Sequence, residues 1–168
     1  PFHGICCGDV ISYDHSFYFT YNEVATTSGL DFFNTPGNHD MTLYSRSHET
    51  STRLWEQTFG PVCYSFNVGK AHYVVLNDNF YIGRDYFYIG YLDERQFAWL
   101  EKDLCYVDEG ATVFVILHIP STCVVQGDTV SASVMSGNMV SSGSVVSTDG
   151  LQDLLVNMGL GEEITNFI

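Results

Sequence analysis

Basic residues are scarce in this sequence of 168 residues. It has six lysines and arginines against 20 aspartates and glutamates, and a formal net charge of −14. Because a groove that follows nucleic-acid phosphates needs many cations, duplex nucleic acid is not expected as a partner. A phosphate group bound to this protein would need a metal ion or a helix N-terminus to offset its charge. Most of the excess carboxylates are expected to form a solvated surface, and some could bind cations.

Paired cysteine motifs and long apolar runs are also missing. The five cysteines include no C-x-x-C pair, which argues against a zinc knuckle or a thioredoxin-like site. The adjacent Cys6 and Cys7 are expected to be small buried residues rather than a disulfide. No run is long and apolar enough to cross a membrane. With 45% hydrophobic and 15% aromatic residues, the sequence predicts one domain with a packed core.

The two ends of the sequence lack the features of a complete domain. It starts at Pro1, without an initiator methionine or a signal peptide, and it stops in the apolar segment Phe167-Ile168. We therefore expect residues 1–168 to be a single domain truncated at both ends, with any targeting sequence outside it. Within this domain, residues 121–148 are low in charge and rich in Ser, Gly and Val, which predicts a long loop or insertion.

The first part of the chain predicts a β-α-β unit. Residues 2–7 and 30–35 are short apolar runs typical of buried strands, and residues 17–28 carry apolar side chains at helical intervals. Such a unit is expected to be parallel and right-handed. Its strands are followed by the polar clusters Gly8-Asp9 and Asn38-His39-Asp40, which parallel neighbours bring to the same edge of the sheet.

The middle of the chain predicts a hairpin and a helix. Residues 62–68 and 71–77 alternate between apolar and polar side chains and are joined by a two-residue turn with glycine, which indicates a hairpin. Residues 93–104 predict a helix, because Asp93 and Gln96 form the pattern of a capping box and an apolar stripe follows.

Four further segments complete the predicted order. The apolar run 111–117 is typical of a parallel strand buried on both faces. Residues 47–58 and 151–158 are helix candidates. Residues 79–92, rich in glycine and aromatic residues, predict a loop that either packs its own rings on the core or covers a substrate.

Three predicted strands end in side chains that can bind a metal ion. These are Asp9, the cluster Asn38-His39-Asp40, and His118. A Gly-Asp pair is a common turn, and a single histidine at a strand end is more often a hydrogen-bonded structural residue. Three such clusters at equivalent ends of one sheet are hard to explain by chance, so we expect chemistry at this edge.

The same segments carry a resemblance to a known family. Gly8-Asp9, Gly37-Asn38-His39-Asp40 and His118-Ile119-Pro120, in this order, resemble the motifs of the calcineurin-like metallophosphoesterases. The resemblance covers roughly residues 5–120, including the predicted hairpin and helix between the motifs. It implies an α/β fold, with a sandwich of two mixed β-sheets flanked by helices. It also implies hydrolysis of a phosphomonoester or phosphodiester substrate by a metal-activated hydroxide.

The resemblance implies a role for each matching residue. Asp9 would bridge two metal ions, and Asn38 and His118 would bind one of them through an amide oxygen and a ring nitrogen. His39 would lie beside the phosphate and help to protonate the leaving oxygen. Asp40 would hold the His39 ring in its tautomer and orientation. The mixed oxygen and nitrogen ligands suit two divalent or trivalent ions, with Mn, Fe and Zn as candidates.

Two motifs of that family are missing from the sequence. No Asp-x-His occurs anywhere in the chain, and no Gly-His-x-His follows His118. The carboxylate that often comes shortly after Gly-Asp is displaced, so that Asp14 either takes that place or only caps the following helix. The ligands present serve mainly one metal and the bridge. We therefore expect weak metal binding and little or no hydrolysis by these 168 residues alone.

Two other functions stay open at this point. A degenerate relative would keep the fold and serve as a non-catalytic binding or structural module, which the missing motifs favour. A small α/β domain could instead use His39 or His118 as a general base without metal, although no G-x-S-x-G nucleophile motif is present. The intact Asn38-His39-Asp40 set favours the enzyme.

Overall fold

The chain contains both helices and strands in the computed structural model, which describes residues 3–85, 87–108 and 111–119 and the backbone of residues 123–125 and 128–130. The helices are α1 (Tyr18–Thr27), α2 (His48–Ser51), α3 (Arg53–Phe59) and α4 (Glu94–Leu104), and 3-10 turns cover His15–Phe17 and Asn38–Asp40. The strands are β1 (His3–Cys6), β2 (Asp31–Asn34), β3 (Tyr64–Val68), β4 (Ala71–Val75), β5 (Asn79–Gly83), β6 (Phe87–Gly90), β7 (Thr112–Ile116), β8 (Cys123–Val125) and β9 (Asp128–Val130). The described residues therefore have the mixed α/β structure that the sequence predicts.

The predicted β-α-β unit is confirmed at the start of the described chain. β1 and β2 run parallel, with Cys6 opposite Asn34, and α1 lies between them in the chain. Gly29 follows α1 with a φ of 70°, a left-handed conformation that glycine adopts without strain. Both strands end at the same edge, where Gly8-Asp9 and the turn Asn38–Asp40 follow them.

A second sheet contains both antiparallel and parallel pairs. Its order is β3-β4-β7, in which β3 and β4 form the predicted hairpin and β4 and β7 are parallel. Val75 at the end of β4 lies opposite Ile116 at the end of β7. Asn77-Asp78 and His118, which follow these two strands, therefore leave the mixed sheet at one edge.

Helix α4 covers one face of the mixed sheet. Leu100 and Leu104 of the helix are buried there. The sheet side of this cluster consists of Val74, Leu76, Val115 and Leu117. Burying one aliphatic side chain of this size contributes about 1.5–3 kcal/mol. The helix begins as predicted, since the Asp93 side chain accepts a hydrogen bond from the Gln96 backbone N–H at 2.9 Å.

The opposite face of the mixed sheet packs against the β-α-β unit. The buried centre of this second cluster consists of Tyr73, Val75 and Ile116. Ile5 of β1 and Cys7, the residue after it, pack against that centre. Phe33 of β2 stacks on Phe66 of β3, with ring centroids 3.6 Å apart. These contacts hold the ends of the parallel strands of both sheets beside each other.

Residues 79–92 differ from the predicted loop. They contain β5 and β6, which pair antiparallel with a register shift between Tyr81 and Gly83. Tyr81 is buried, and its hydroxyl donates a hydrogen bond to the Ser45 carbonyl at 2.9 Å. The glycines and the shifted register interrupt the period of two that marks a strand, which explains why the composition indicated a loop.

The single helix expected over residues 47–58 is divided into α2 and α3. Thr52 lies between them, and the carbonyl of Ser51 accepts a hydrogen bond from Thr42 N–H at 2.8 Å, a partner outside the helix. Trp55 of α3 is only 1% exposed and packs on Tyr18 of α1. The break is thus set by a contact with a distant part of the chain rather than by the local sequence.

Parts of two predictions fall outside the described residues. Within 121–148, the backbones of β8 and β9 pair antiparallel, so this part of the expected loop is a hairpin. The other residues of that segment, and the predicted helix over 151–158, lie outside the described residues. None of the helices described is long and apolar enough to cross a membrane. Cys6 and Cys7 are partly buried free thiols, in agreement with the expectation that they form no bridge.

Candidate metal centre

Side chains from three strand ends converge at one edge of the two sheets. They belong to Asp9 after β1, Asn38 after β2 and His118 after β7. His118 Nε2 lies 3.1 Å from Asn38 Oδ1 and 3.5 Å from Asp9 Oδ1. His118 is only 6% exposed, so these contacts are largely shielded from solvent. The structure therefore brings together the three residues that the sequence predicts as metal ligands.

The His118 ring is oriented by a hydrogen bond on its other side. Its Nδ1 lies 2.7 Å from the Cys7 carbonyl oxygen, which can only accept, so Nδ1 carries a ring proton. In the neutral ring, Nε2 is then an acceptor. The Asn38 amide is turned so that its Nδ2 donates to the Tyr13 hydroxyl at 3.3 Å and its oxygen faces His118. With a neutral His118 ring, three acceptor atoms lie close together, an arrangement that a cation or a proton on Nε2 would stabilise.

The converging atoms form a donor set that fits a transition metal. A carboxylate oxygen, an amide oxygen and an imidazole nitrogen suit Zn, Fe or Mn. Metal-binding histidines usually donate their other ring N–H to a carbonyl or a carboxylate, as His118 does to Cys7. Within the described ranges, no group of three or more His, Cys, Asp or Glu side chains could hold a metal ion. The candidate set contains two such residues, and its third member is the amide of Asn38.

Two glycines allow the strand ends to approach this closely. Gly8 has a φ of 97°, and a Cβ atom there would overlap the His118 ring. Gly37 has an extended backbone, but a Cβ atom there would overlap both the side chain and the backbone of Asp9. Space at the site therefore requires glycine at both positions.

Asp9 is tied to the turn that carries the other candidate residues. Its Oδ1 accepts a hydrogen bond from the His39 backbone N–H at 3.0 Å. Its φ of 55° lies in the left-handed region, which Asp and Asn tolerate better than most residues with a side chain. The carboxylate is thus positioned by the protein itself relative to the turn Asn38–Asp40.

Asp40 supports this turn rather than the His39 ring. Its carboxylate accepts hydrogen bonds from the backbone N–H groups of Gly37 at 2.8 Å and of Val10 and Ile11 at 3.3 Å each. Burial raises the pKa of Asp40 to about 7, although these three hydrogen bonds act in the opposite direction. The observed partners depart from the role that the family resemblance implies, in which Asp40 orients His39.

The His39 ring contacts the loop after β1. It stacks on the Tyr13 ring, with centroids 4.2 Å apart and planes inclined by 20°. Its Nδ1 lies 3.4 Å from the Ser12 hydroxyl oxygen. Adjacent residues of this turn therefore share one partner and differ in the other: both contact Tyr13, but Asn38 also contacts His118 whereas His39 also contacts Ser12.

Asp78 is a site residue that the sequence analysis did not single out. It follows β4, is 2% exposed, and accepts hydrogen bonds from His118 N–H at 3.2 Å and Ile119 N–H at 2.9 Å, one on each carboxyl oxygen. Burial raises the pKa of Asp78 to about 7. The signal in the sequence was the polar run Asn77-Asp78-Asn79 directly after an apolar strand. Asp78 fixes the position at which His118 leaves β7.

The same polar run also holds the turn after β2. Asn79 is fully buried, and its Nδ2 donates a hydrogen bond to the Pro36 carbonyl at 2.9 Å. Thr35, also fully buried, donates its hydroxyl hydrogen to the Leu76 carbonyl at 3.1 Å. The residues after β4 thus connect the two loops that carry Asn38 and His118.

Replacing Asp78 with asparagine is expected to destabilise the protein. Asparagine has the same shape but only one oxygen, so its NH₂ group must face one of the two backbone N–H groups that Asp78 accepts from. Leaving a buried donor unsatisfied costs about 1–3 kcal/mol, and we expect the free energy of unfolding to fall by this amount. Urea unfolding at acidic pH measures the effect. Because burial raises the pKa of Asp78 to about 7, ionising this carboxyl lowers the stability of the wild type as the pH rises towards 7, and the difference from the variant then shrinks.

The matched control for this substitution is Asp31→Asn. Asp31 lies at the start of β2 and is exposed. The free energy of unfolding of the Asp31→Asn variant should therefore differ from that of the wild type by less than about 0.5 kcal/mol. Equal stability of Asp78→Asn and the wild type would contradict the role of Asp78 in holding the end of β7.

The sequence left two roles open for Asp14, a place near the metal or a cap at a helix start. In the structure Asp14 is a cap. It is the N-cap of the 3-10 turn His15–Phe17, where its Oδ1 accepts from Ser16 N–H at 3.1 Å and from the Ser16 hydroxyl at 2.7 Å. These hydrogen bonds lower the pKa of Asp14. Its carboxylate is exposed to solvent and is hydrogen-bonded to Ser16 at the start of the 3-10 turn.

The chain matches no protein-family model and no curated protein sequence. The resemblance to metallophosphoesterases accordingly rests on its motifs, and the geometry at the strand ends is the observation that bears on the chemistry of this site.

Proposed function

We propose that the protein is a metal-dependent phosphoesterase of the calcineurin-like type, which hydrolyses a phosphomonoester or a phosphodiester. The observation that carries the proposal is that Asn38 Oδ1 and Asp9 Oδ1 both lie within 3.5 Å of His118 Nε2. These atoms follow three different strands, and a cation bound among them would be stabilised by all three. We also propose that the fold is the sandwich of this family, in which two mixed β-sheets are flanked by helices. This description is finer than the mixed α/β structure of the described residues.

In the proposed site, Asp9, Asn38 and His118 would hold one metal ion, and Asp9 would also contact a second one. Mn, Fe and Zn suit these ligands. When bound, such ions neutralise phosphate oxygens and supply a nucleophile from water near neutral pH. The formal net charge of −14 makes this neutralisation necessary, because an acidic protein otherwise repels a phosphate ester.

In this proposal, His39 acts as the proton donor. It lies directly beside Asn38 in the chain, and its backbone N–H donates to the Asp9 carboxylate at 3.0 Å. Its ring is partly buried and packs on Tyr13, which restricts the directions in which the ring nitrogens point. A ring held in this way next to the phosphate can protonate the leaving oxygen as the ester bond breaks.

The test is the metal content of the complete protein together with hydrolysis of phenyl phosphate and of bis(4-nitrophenyl) phosphate. We expect the protein to retain Mn, Fe or Zn through purification, and a chelator to abolish hydrolysis of at least one of these esters. Hydrolysis that persists in the metal-free protein would overturn the proposal. So would a protein that neither binds a metal nor cleaves either ester.

A non-catalytic module is the second candidate. The observation in its favour is the absence of Asp-x-His and Gly-His-x-His from these 168 residues, which leaves a proposed second metal with few ligands. This candidate predicts that the complete protein binds one metal ion but cleaves neither ester. Metal stoichiometry and hydrolysis, measured on the same preparation, therefore separate the two functions.

A further inference from the structure

We infer that Tyr13 is a positioning residue of this site, which holds the His39 ring with its own ring and the Asn38 amide with its hydroxyl. The inference rests on the proposed function, since the two residues that Tyr13 contacts are the proposed proton donor and a proposed metal ligand. Tyr13 follows Asp9 by four positions and lies outside the motifs that mark the site in the sequence.

The contact between Tyr13 and His39 involves both ring and backbone. The two rings are stacked, with centroids 4.2 Å apart and planes inclined by 20°. The backbone N–H of Tyr13 also donates a hydrogen bond to the His39 carbonyl at 3.1 Å. A stacked partner leaves the ring nitrogens at the edge of the imidazole accessible, and it prevents the ring from turning out of the stacking plane. Tyr13 thus restricts His39 without occupying the atoms that would transfer a proton.

The hydroxyl of Tyr13 contacts the end of the Asn38 amide that faces away from His118. Asn38 Nδ2 donates to the Tyr13 hydroxyl oxygen at 3.3 Å, and Asn38 Oδ1 faces His118 Nε2 at 3.1 Å. Only the amide oxygen can bind a metal ion. With Nδ2 donating to this hydroxyl, the amide oxygen lies on the side where it could bind a metal ion.

The backbone of Tyr13 has a conformation that only its surrounding contacts can hold. Its φ is 65°, in the left-handed region that disfavours residues with a large side chain. Phe87 also has a positive φ, of 64°, and its ring centroid lies 5.7 Å from that of Tyr13. Strained residues of this kind persist when the contacts around them hold them in place. At Tyr13 those contacts include the two proposed site residues.

Two substitutions separate the two contacts. Tyr13→Phe keeps the ring and removes the hydroxyl, so we expect the affinity for Mn²⁺ to fall by about 10-fold while kcat at saturating Mn²⁺ stays near that of the wild type. Tyr13→Leu removes the ring as well, and a misplaced proton donor should then lower kcat at saturating Mn²⁺ by about 10- to 100-fold. Mn²⁺ titration by calorimetry and hydrolysis of phenyl phosphate, both with the complete protein and its variants, measure the two quantities.

The chain offers a matched control in Tyr44. Its φ is 61°, close to that of Tyr13, but it is 69% exposed and its ring lies under the Arg84 guanidinium. Tyr44→Phe and Tyr44→Leu are therefore expected to leave Mn²⁺ affinity and kcat unchanged. A loss of stability shared by Tyr13→Leu and Tyr44→Leu would come from the strained backbone position, whereas a loss of metal affinity or kcat in the Tyr13 variants alone supports the inference.

The outcomes distinguish the inference from the function on which it rests. If the wild type binds Mn²⁺ and hydrolyses phenyl phosphate, and Tyr13→Phe and Tyr13→Leu match it, the positioning role is overturned and the proposed function stands. If the wild type neither binds a metal nor cleaves a phosphate ester, the proposed function is overturned and the inference with it. If Tyr13→Leu does not fold, Tyr13→Phe decides, because an unchanged Mn²⁺ affinity in that variant overturns the positioning of Asn38.

Discussion

Replacing Asp9 with asparagine is expected to remove the bound metal and abolish hydrolysis in the complete protein. The substitution removes one negative charge and one carboxylate oxygen from the point where three acceptors converge. Losing a partner outside the ligand set typically costs about 10- to 100-fold in metal affinity, and losing a ligand should cost more than that. Metal content after dialysis and hydrolysis of phenyl phosphate measure both effects.

Asparagine is the informative replacement at this position because it preserves the local backbone. Its amide oxygen can still accept the hydrogen bond that the His39 backbone N–H donates to Asp9 Oδ1 at 3.0 Å. It also tolerates the φ of 55°, which alanine would adopt only with added strain. A loss of metal in this variant therefore reports on the carboxylate rather than on a collapsed loop.

The matched control for Asp9 is Asp14→Asn. Asp14 lies in the same loop, but its carboxylate is exposed and caps a 3-10 turn, a position that asparagine fills equally well. We expect this variant to keep both its metal and its activity. If Asp9→Asn kept the metal stoichiometry of the wild type, the bridging role of Asp9 would be refuted.

Replacing His39 with alanine is expected to lower kcat by about 10²- to 10⁴-fold, the range typical of lost acid catalysis, while metal content persists. Metal should persist because Asn38 and His118 are unchanged and because the backbone N–H of residue 39 still donates to Asp9. The expected signature is therefore a loss of turnover without a loss of metal, which is the opposite of a ligand substitution.

The leaving group gives a sharper test of His39 as an acid. A nitrophenolate leaves readily without a proton, whereas a phenolate leaves more slowly, so general acid catalysis matters more for phenyl phosphate than for 4-nitrophenyl phosphate. His39→Ala should therefore reduce kcat more for phenyl phosphate. An equal reduction for both esters would contradict the proton transfer, and an unchanged kcat would exclude His39 from the chemistry altogether.

Ser12→Ala is the control for the His39 substitution. The Ser12 hydroxyl is exposed and lies 3.4 Å from His39 Nδ1. Removing it deletes a weak contact of the ring without deleting the ring, so we expect kcat to change much less than in His39→Ala. A loss as large as that of His39→Ala would mean that the ring acts through Ser12.

Much of the fold was predictable because local signals determine it. The turn with Gly69 joins β3 and β4 into a hairpin, and Asp93 followed three residues later by Gln96 marks a helix start; both predictions are confirmed. The parallel pairing of β1 with β2 follows from their spacing, since a helix fits between them. In each case the pattern and the structure lie within a few residues of each other or within one supersecondary unit.

The segments that were predicted wrongly depend on distant contacts. The hairpin of β5 and β6 contains a register shift that hides its alternation, and Tyr81 of β5 is fixed by hydrogen bonds to Ser45 and His48. The division between α2 and α3 coincides with a hydrogen bond between Thr42 and Ser51. No periodicity in the sequence encodes such partners.

The sequence by itself determined which residues stand at the strand ends, because strand periodicity, glycines and polar clusters are local features. Asp9, Asn38 and His118 could be named in this way. Only the tertiary structure decided how their atoms are arranged. His118 is oriented by the carbonyl of Cys7, 111 positions earlier in the chain, and Asp78 holds the backbone of His118 across 40 positions. Asp40 and Tyr13 took roles that the motifs did not predict, because hydrogen-bond partners and ring stacking are set by how the loops pack and not by the residues next to them.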